Sequence, residues 1–438
     1  MQADEPYSLA NLGVPATARK RIVIIGGGFA GLKLARKLSR KKFQVVVIDK
    51  NNYHCFQPLL YQVSMGGLEP DSIAFPLRKW LRKRSAYFRM TTVEEIIPQE
   101  NKVITRDGDL TYDSLIIATG SKSNFFGNEG VEKNAFTLKS IPGALDIRSW
   151  IFQNLEKAVF EKRKNEFLNI VIVGGGPTGV EIAGALADLK NHVLPDDYSE
   201  LFFSGFKIII VENSDKILST MSETASAYAT EALKKMGVEI KTGQLLKEYD
   251  GHEALLSTGE KIQTQILIWS AGVIGNPIPG ISPNALHKNS RYKIDRLNRI
   301  LGYENIYAIG DVAAITPELG DPHPMLAPVA IQQAKNLVRN LNMSTAASWK
   351  EFRYTNKGVL ATIGRNKAVA DFGPLHFTGV IAWLIWVFVH LMTLVGFRNK
   401  VIVFTNWLMS YLTFDSAIRL IMRPLKHKSP IKDSVDAI

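Results

Sequence analysis

Short apolar runs that stop at glycine punctuate the chain. Ile22–Ile25 leads into Gly26, Gly27 and Gly28, and apolar residues then return at Leu32, Leu34, Ala35 and Leu38 with helical spacing. A brief, wholly apolar run ending in glycine reads as a strand buried on both faces of a parallel sheet. The spacing that follows reads as a helix packed on it. A second run, Val45–Ile48, ends in Asp49. The same pattern starts again at Asn169–Val173, followed by Gly174, Gly176 and Gly179 and a helix through Glu181, Ala183 and Leu186; Lys207–Val211 is its next strand, closed by Glu212. Tyr112–Gly120, Ile266–Gly272 and Asn305–Asp311 are further strands ending in small residues, and Asp107-Gly108 marks a hairpin. Ile141–Lys164 is a charged helix. The repeat is too long for a solenoid. The pattern predicts an α/β chain with two Rossmann-like dinucleotide-binding domains.

The glycines have chemical reasons. In G-x-G-x-x-G the first lets the chain turn tightly, the second brings backbone N–H groups close to a pyrophosphate, and the third packs helix against strand. The helix N-terminus then faces the phosphate with its partial positive charge. Asp49 and Glu212 stand where a carboxylate holds ribose hydroxyls. Glu212 also repels a 2′-phosphate, and no arginine lies in 212–215 to receive one, so the second site should prefer NADH to NADPH.

At 438 residues the chain exceeds one compact core. Lys and Arg outnumber Asp and Glu by 53 to 41, a net +12 that calls for an acidic partner, nucleic acid or lipid. The single cysteine, Cys55, excludes both an internal disulfide and a thiol-relay pair. No metal site is expected. Residues 1–19, with Asp4, Glu5, Pro6 and Pro15, read as a flexible tail rather than a secretory or organelle signal. The basic run Arg78–Arg84 around Trp80 reads as a solvated face.

The charge pattern changes near the C-terminus. Phe377–Phe397 contains no Asp, Glu, Lys or Arg and is long enough for a transmembrane candidate. Beyond it, Asn399, Asn406, Ser410, Thr413 and Arg419 recur at helical spacing, with Val401, Phe404, Leu408 and Leu412 between them. That is an amphipathic helix. Trp383, Trp386, Trp407 and Tyr411 suit the headgroup level, and Arg398, Lys400, Arg419, Arg423, Lys426 and Lys428 attract an anionic leaflet. Two readings compete, a single span and a pair of helices lying in one leaflet. The second is favoured, because a span would carry the amphipathic helix and basic tail across the membrane. Charge beside tryptophan also assigns the acidic partner to lipid, with no nucleic acid.

Together, the first glycine unit with Asp49, the Ala118-Thr119-Gly120 strand end, the second unit with Glu212, and Gly310-Asp311 resemble the two-dinucleotide flavoprotein reductases. Within them, NNYHCFQPLLYQV, VGGGPTGVEIAGALAD and AWLIWVFVHLMTLVGFRNK resemble type II NADH:quinone oxidoreductases. The resemblance runs from about Arg21 to about Ile421. It implies FAD held by Gly26, Gly28, Gly31, Asp49, Lys50, Thr119, Gly120, Gly310 and Asp311, and NADH as substrate at Gly174, Gly176, Gly179, Glu212 and Gly272. It implies a membrane quinone at Ala327, Gln332 and Gln333, with Pro328 standing where the family has glutamine. Catalytic roles fall to Glu181 and Lys357; a buried lysine beside the glutamate would relay a proton or stabilise reduced flavin, and an exposed loop lysine fits the sequence equally well. The implied domains are an FAD-binding one at 20–145 and 290–345, an NADH-binding one at 146–289, and a C-terminal membrane-anchoring region at 346–438 with amphipathic helices. The implied protein is a peripheral enzyme on the cytoplasmic face of a bacterial inner (plasma) membrane, passing electrons from NADH through FAD to quinone without ion pumping. A homodimer is compatible with it. The alternative on the same scaffold is a reductase of an iron–sulfur protein or of oxygen.

Overall fold

The structure, a computed structural model, describes residues 10–82, 86–161, 168–201, 203–316, 320, 322–413 and 418–422. Lys83, Arg84, Arg423, Lys426 and Lys428 lie outside the described residues. The chain packs as two units, one of Met1–His54, Phe75–Lys122 and Val273–Asn356, the other of Cys55–Ala74, Ser123–Gly272 and Lys357–Ile438. Against the bounds expected from sequence, 55–74 and 123–145 pack with the second unit, 273–289 and 346–356 with the first, and 357–438 forms part of the second rather than a separate region.

The first unit is built on a parallel sheet of β1 (Lys20–Ile25), β2 (Phe43–Asp49), β3 (Tyr87–Met90) and β4 (Ser114–Ile117). Its order is Ile306–Ala308, β4, β1, β2, β3, with Ile22 opposite Val45 and Ser114. The unbroken apolar runs have a direct cause. Ile22, Ile24, Val45 and Val47 point into one buried cluster, with Leu32, Leu34 and Leu38 of or beside α1 (Phe29–Lys37) and Leu337 of the helix Ala327–Asn342. Val23, Ile25, Val46 and Ile48 point into the other, with Ile96, Val103, Leu110 and Tyr292. Both faces are covered, so polar residues have no place to alternate. Of the expected tail, residues 1–9, with Asp4, Glu5 and Pro6, lie outside the described residues. Leu12 and Val14 are buried in the second cluster, and the Arg89 guanidinium donates to the Leu12 and Gly13 carbonyls at 2.5 and 2.7 Å. Around Trp80, Arg78, Lys79 and Arg82 are exposed as expected, while Arg36 lies 4.2 Å above the indole.

The second unit repeats the plan with β5 (Phe136–Thr137), β6 (Ile170–Val173), β7 (Ile208–Val211), β8 (Val238–Lys241) and β9 (Ile266–Trp269) in the order β5, β9, β6, β7, β8. It also holds α2 (Leu60–Ser64), α3 (Ile141–Glu161), α4 (Pro177–His192) and α5 (Glu223–Lys235). Its C-terminal part is an antiparallel sheet of β10 (Val359–Gly364), β11 (Lys367–Phe372) and β12 (Leu375–Thr378), then α6 (Gly379–Thr393) and α7 (Phe397–Thr413). Gly184 of α4 lies so close to β10 that a Cβ would sit 1.7 Å from the Ile363 carbonyl oxygen.

The apolar stretch Phe377–Phe397 is not one helix. Its first two residues close β12, α6 covers 15 residues, and the chain turns at Leu394 and at Gly396 with φ +91° before α7. Fifteen residues rise about 22 Å, short of the roughly 30 Å hydrocarbon core. Among the described residues no helix is long and apolar enough to cross a membrane.

Candidate active site

Each unit carries the same phosphate cradle. Gly26 and Gly174 have φ of +106° and +107°, and a Cβ would meet the Ala118 carbonyl oxygen at 2.3 Å in one and the Ala271 backbone at 2.8 Å in the other. Gly31 and Gly179 permit helix-on-strand packing, since a Cβ at either would lie 1.9 Å from the carbonyl oxygen of Gly26 or Gly174. Gly28 and Gly176 differ. Each is the N-cap of its helix, and a Cβ there would meet no protein atom within 4 Å. Their lack of a side chain serves no packing; it leaves open the space in front of the α1 and α4 N-termini, where backbone N–H groups can donate to an anion. The residues present therefore fit a dinucleotide pyrophosphate in each unit.

The acids are locked alike. Asp49 accepts from Gly27 N–H at 2.6 Å and Asn51 N–H at 2.7 Å; Glu212 accepts from Gly175 N–H at 2.5 Å and Ser214 N–H at 2.8 Å. Each carboxylate keeps spare lone pairs for ribose hydroxyls. Burial raises the Asp49 carboxyl above its ordinary value, while the Asn51 and Gly27 N–H groups and the exposed Lys50 pull it back.

Around the first cradle, Gly120 and Gly310 have positive φ of +71° and +78°. Thr119 Oγ1 donates to the Asn276 carbonyl at 2.6 Å, and Ser121 Oγ donates to Asp311 Oδ2 at 2.7 Å. The two glutamines expected at a quinone each hold backbone of the first unit. Gln333 is buried and its Oε1 accepts from Gly310 N–H at 2.7 Å. Gln332 forms a reciprocal pair with Thr355, donating to its carbonyl at 2.9 Å and accepting from its N–H at 3.1 Å. Both side chains hold backbone. Ala327 and Pro328 open the helix Ala327–Asn342, where a missing proline N–H leaves no bond unmade.

In the second unit Gly272 accepts from Asn124 N–H at 3.1 Å, and a Cβ on it would strike Phe126 at 2.9 Å. Glu181, on the first turns of α4, is strongly perturbed: desolvation pushes its carboxyl up to about 8, against the pull of Thr362 N–H and the nearby Trp386 indole. It is half-buried, and the raised value keeps it mostly protonated at pH 7. Lys357 is exposed, contrary to the expected buried relay, and no hydrogen bond or ion pair joins it to Glu181 among the described residues. A flexible ammonium gains more from water than from that site. Cys55 is inert, its thiol pushed up to about 12 by burial.

Sequence reading missed the surroundings of Glu181. Trp386 stacks on His390 with centroids 4.2 Å apart, lies 5.4 Å from Trp407 and meets Tyr61 edge-on at 6.5 Å. Burial pushes the His390 imidazole down to about 4, so it too is neutral. The i, i+4 spacing of Trp386 and His390 was the available signal, hidden inside an otherwise uniform apolar run.

The helix α7 is amphipathic with its faces reversed. Asn399 is buried and donates to the carbonyls of Asp71, Ser72 and Ala74 at 2.9–3.0 Å. The apolar stripe points outward, with Phe404, Leu408 and Leu412 at 49%, 45% and 66% exposure. On α6, Val380, Ile381, Leu384 and Phe388 are likewise exposed.

Two sequence profiles match, that of the pyridine nucleotide-disulphide oxidoreductases over residues 20–334 and the NDH2 C-terminal domain over 356–414. The chain is 34% identical to a type II NADH:quinone oxidoreductase of Mycobacterium tuberculosis, covering 90% of this chain and 89% of that one. It is 28% identical to an internal alternative NAD(P)H-ubiquinone oxidoreductase of Arabidopsis mitochondria, over 94% and 88%. An NDH2 of Plasmodium falciparum solved with NADH, 23% identical, shares the fold with a TM-score of 0.86 over 92% of this chain and all of that one.

Proposed function

Because the chain belongs to the pyridine nucleotide-disulphide oxidoreductases, and within them to the type II NADH:quinone oxidoreductases, we infer that it oxidises NADH and reduces a quinone without pumping ions. When bound, FAD would supply the two-electron carrier between the hydride of NADH and a quinone that takes up two protons on becoming quinol. The observation that carries this reading is the pair of matching cradles, each open at its second glycine and each closed by an acid.

The chain's residues divide the work. Gly26, Gly28, Gly31 and Asp49, with Thr119, Gly120, Gly310 and Asp311, hold FAD. Gly174, Gly176, Gly179 and Gly272 hold NADH, and Glu212 selects it by repelling a 2′-phosphate. Glu181, neutral at pH 7, holds a proton on its carboxyl in a site that excludes most water, ready for the quinol. The outward apolar stripes of α6 and α7 seat in one leaflet of a lipid surface, with Arg398 and Lys400 toward its headgroups. That surface is the cytoplasmic face of a bacterial inner membrane, the side that NADH reaches. Ala327, Gln332 and Gln333 stand at the quinone headgroup; Gln333 Oε1 holds the Gly310 N–H, which leaves its amide N–H groups to donate to a quinone carbonyl.

The test is spectroscopic. Detergent-extracted protein is yellow, NADH bleaches the flavin band, and a soluble quinone analogue restores it. Bleaching without restoration by quinone overturns the reading.

A further inference from the structure

One buried cation in the second unit has no acid to answer it. Arg148 of α3 is fully buried, and no ion pair reaches it among the described residues. Its Nε and Nη1 have no hydrogen-bond partner, and Nη2 has only the Met422 sulfur at 3.6 Å, a weak acceptor. Glu69 is the charge that acts on it, without forming a pair. A guanidinium keeps its charge at any ordinary pH, so burying it without an acceptor is costly. Yet Arg148 lies only one side chain deep. Met422 is 63% exposed, and Leu420 and Ile421 beside it are exposed too. The backbone of 418–422 is pinned. Ile418 N–H donates to the Gly66 carbonyl at 3.2 Å, Arg419 Nε pairs with Asp197 Oδ2 at 2.7 Å, and a Cβ on Gly66 would lie 2.5 Å from the Ile418 carbonyl oxygen. The Met422 side chain, a flexible thioether, can therefore swing off Arg148 while the backbone stays.

From this arrangement we propose that Arg148 is the seat of a phosphate group, carried by an anionic lipid headgroup, and that Met422 is its cover. The inference rests on the leaflet seat of α6 and α7 proposed above. A planar guanidinium with free N–H groups matches phosphate oxygens two at a time. Arg419, three residues before the cover, does not compete, because Asp197 already answers its charge. The rim decides the source. Leu420, Ile421 and Met422 follow α7 in the chain and are apolar and exposed, as its outward stripe is. An acyl chain lies against them while its phosphate reaches the cation. Free phosphate would bring the charge and gain nothing from that rim. Glu69, half-buried nearby, is the charge that an occupant works against.

The test is thermal unfolding of the holoenzyme in neutral-detergent micelles. These carry phosphatidylglycerol, or diacylglycerol, which has the chains without the phosphate, or are given inorganic phosphate alone. Wild type melts about 3 °C higher with phosphatidylglycerol than with diacylglycerol, at about a hundredfold excess over Kd. Arg148→Met keeps an unbranched side chain and removes the charge. In diacylglycerol it melts about 2 °C above wild type, because the lost cation had no partner, and it loses most of the phosphatidylglycerol gain. Met422→Ala uncovers the cation and lowers the phosphatidylglycerol concentration at half the gain by about threefold or more. Equal gains in wild type and Arg148→Met overturn the inference. So does an Arg148→Met that melts below wild type in diacylglycerol, since it would reveal an internal partner. If Arg148→Met is not obtained folded, Met422→Ala decides, and an unchanged concentration overturns the inference. Inorganic phosphate that gives wild type the whole gain overturns the lipid source. Arg148→Met still sediments with phosphatidylglycerol vesicles through α6 and α7. Sedimentation of neither protein overturns the leaflet reading, and the inference with it.

Discussion

Replacing Glu181 by glutamine should make the protein more stable as pH rises. The folded carboxyl titrates at about 8 against an ordinary value of 4.5, because burial disfavours its charge. Below 4.5 it is protonated whether the chain is folded or not, and it costs nothing. Between 4.5 and 8 the unfolded chain releases the proton and the folded chain keeps it, so stability falls by about 1.4 kcal/mol for each pH step. Above 8 the loss levels off near an upper bound of about 5 kcal/mol. Glutamine fits the same space and never ionises. The advantage of Glu181→Gln over wild type should therefore grow by about 3 kcal/mol from pH 5.5 to 8, roughly 3 °C in Tm for a chain of 438 residues. Thermal unfolding of both holoenzymes, followed by flavin release across that range, measures it. Parallel profiles would show that Glu181 is ionised in the folded protein, and its assignment as a proton holder would fall.

Other outcomes follow from the cradles and the outer helices. Gly176→Ala should fold normally and raise KM for NADH tenfold or more, since its methyl enters space that only a ligand fills, whereas Gly179→Ala, 1.9 Å from the Gly174 carbonyl oxygen, should lower stability by about 3 kcal/mol in a melting experiment. Glu212→Ala should narrow the NADH to NADPH ratio of kcat/KM at least tenfold; an unchanged ratio would remove the acid from coenzyme selection. Leu408→Glu with Leu412→Glu should release the enzyme from anionic vesicles in a sedimentation assay while NADH still bleaches its flavin, and undiminished vesicle binding would exclude α7 as the anchor.

The amino-acid sequence by itself determined the α/β class, both dinucleotide cradles, the acids that close them and the absence of a thiol relay. Those features are local. A glycine with positive φ, a strand without polar residues and a helix starting at an open N-terminus are dictated by neighbours a few positions away. Tertiary structure alone decided the rest. Glu181 looks like an ordinary first-turn acid until β10 and α6 close over it and remove its water. Gln332 and Gln333 look like free amides until Thr355 and Gly310 claim them. Lys357 reads equally well as buried or exposed, and the polar stripe of α7 faces the protein only because Asn399 finds three carbonyls at 71–74. Burial and hydrogen-bond partners are set by segments tens to hundreds of residues apart, and no periodicity within one segment encodes which of them will meet.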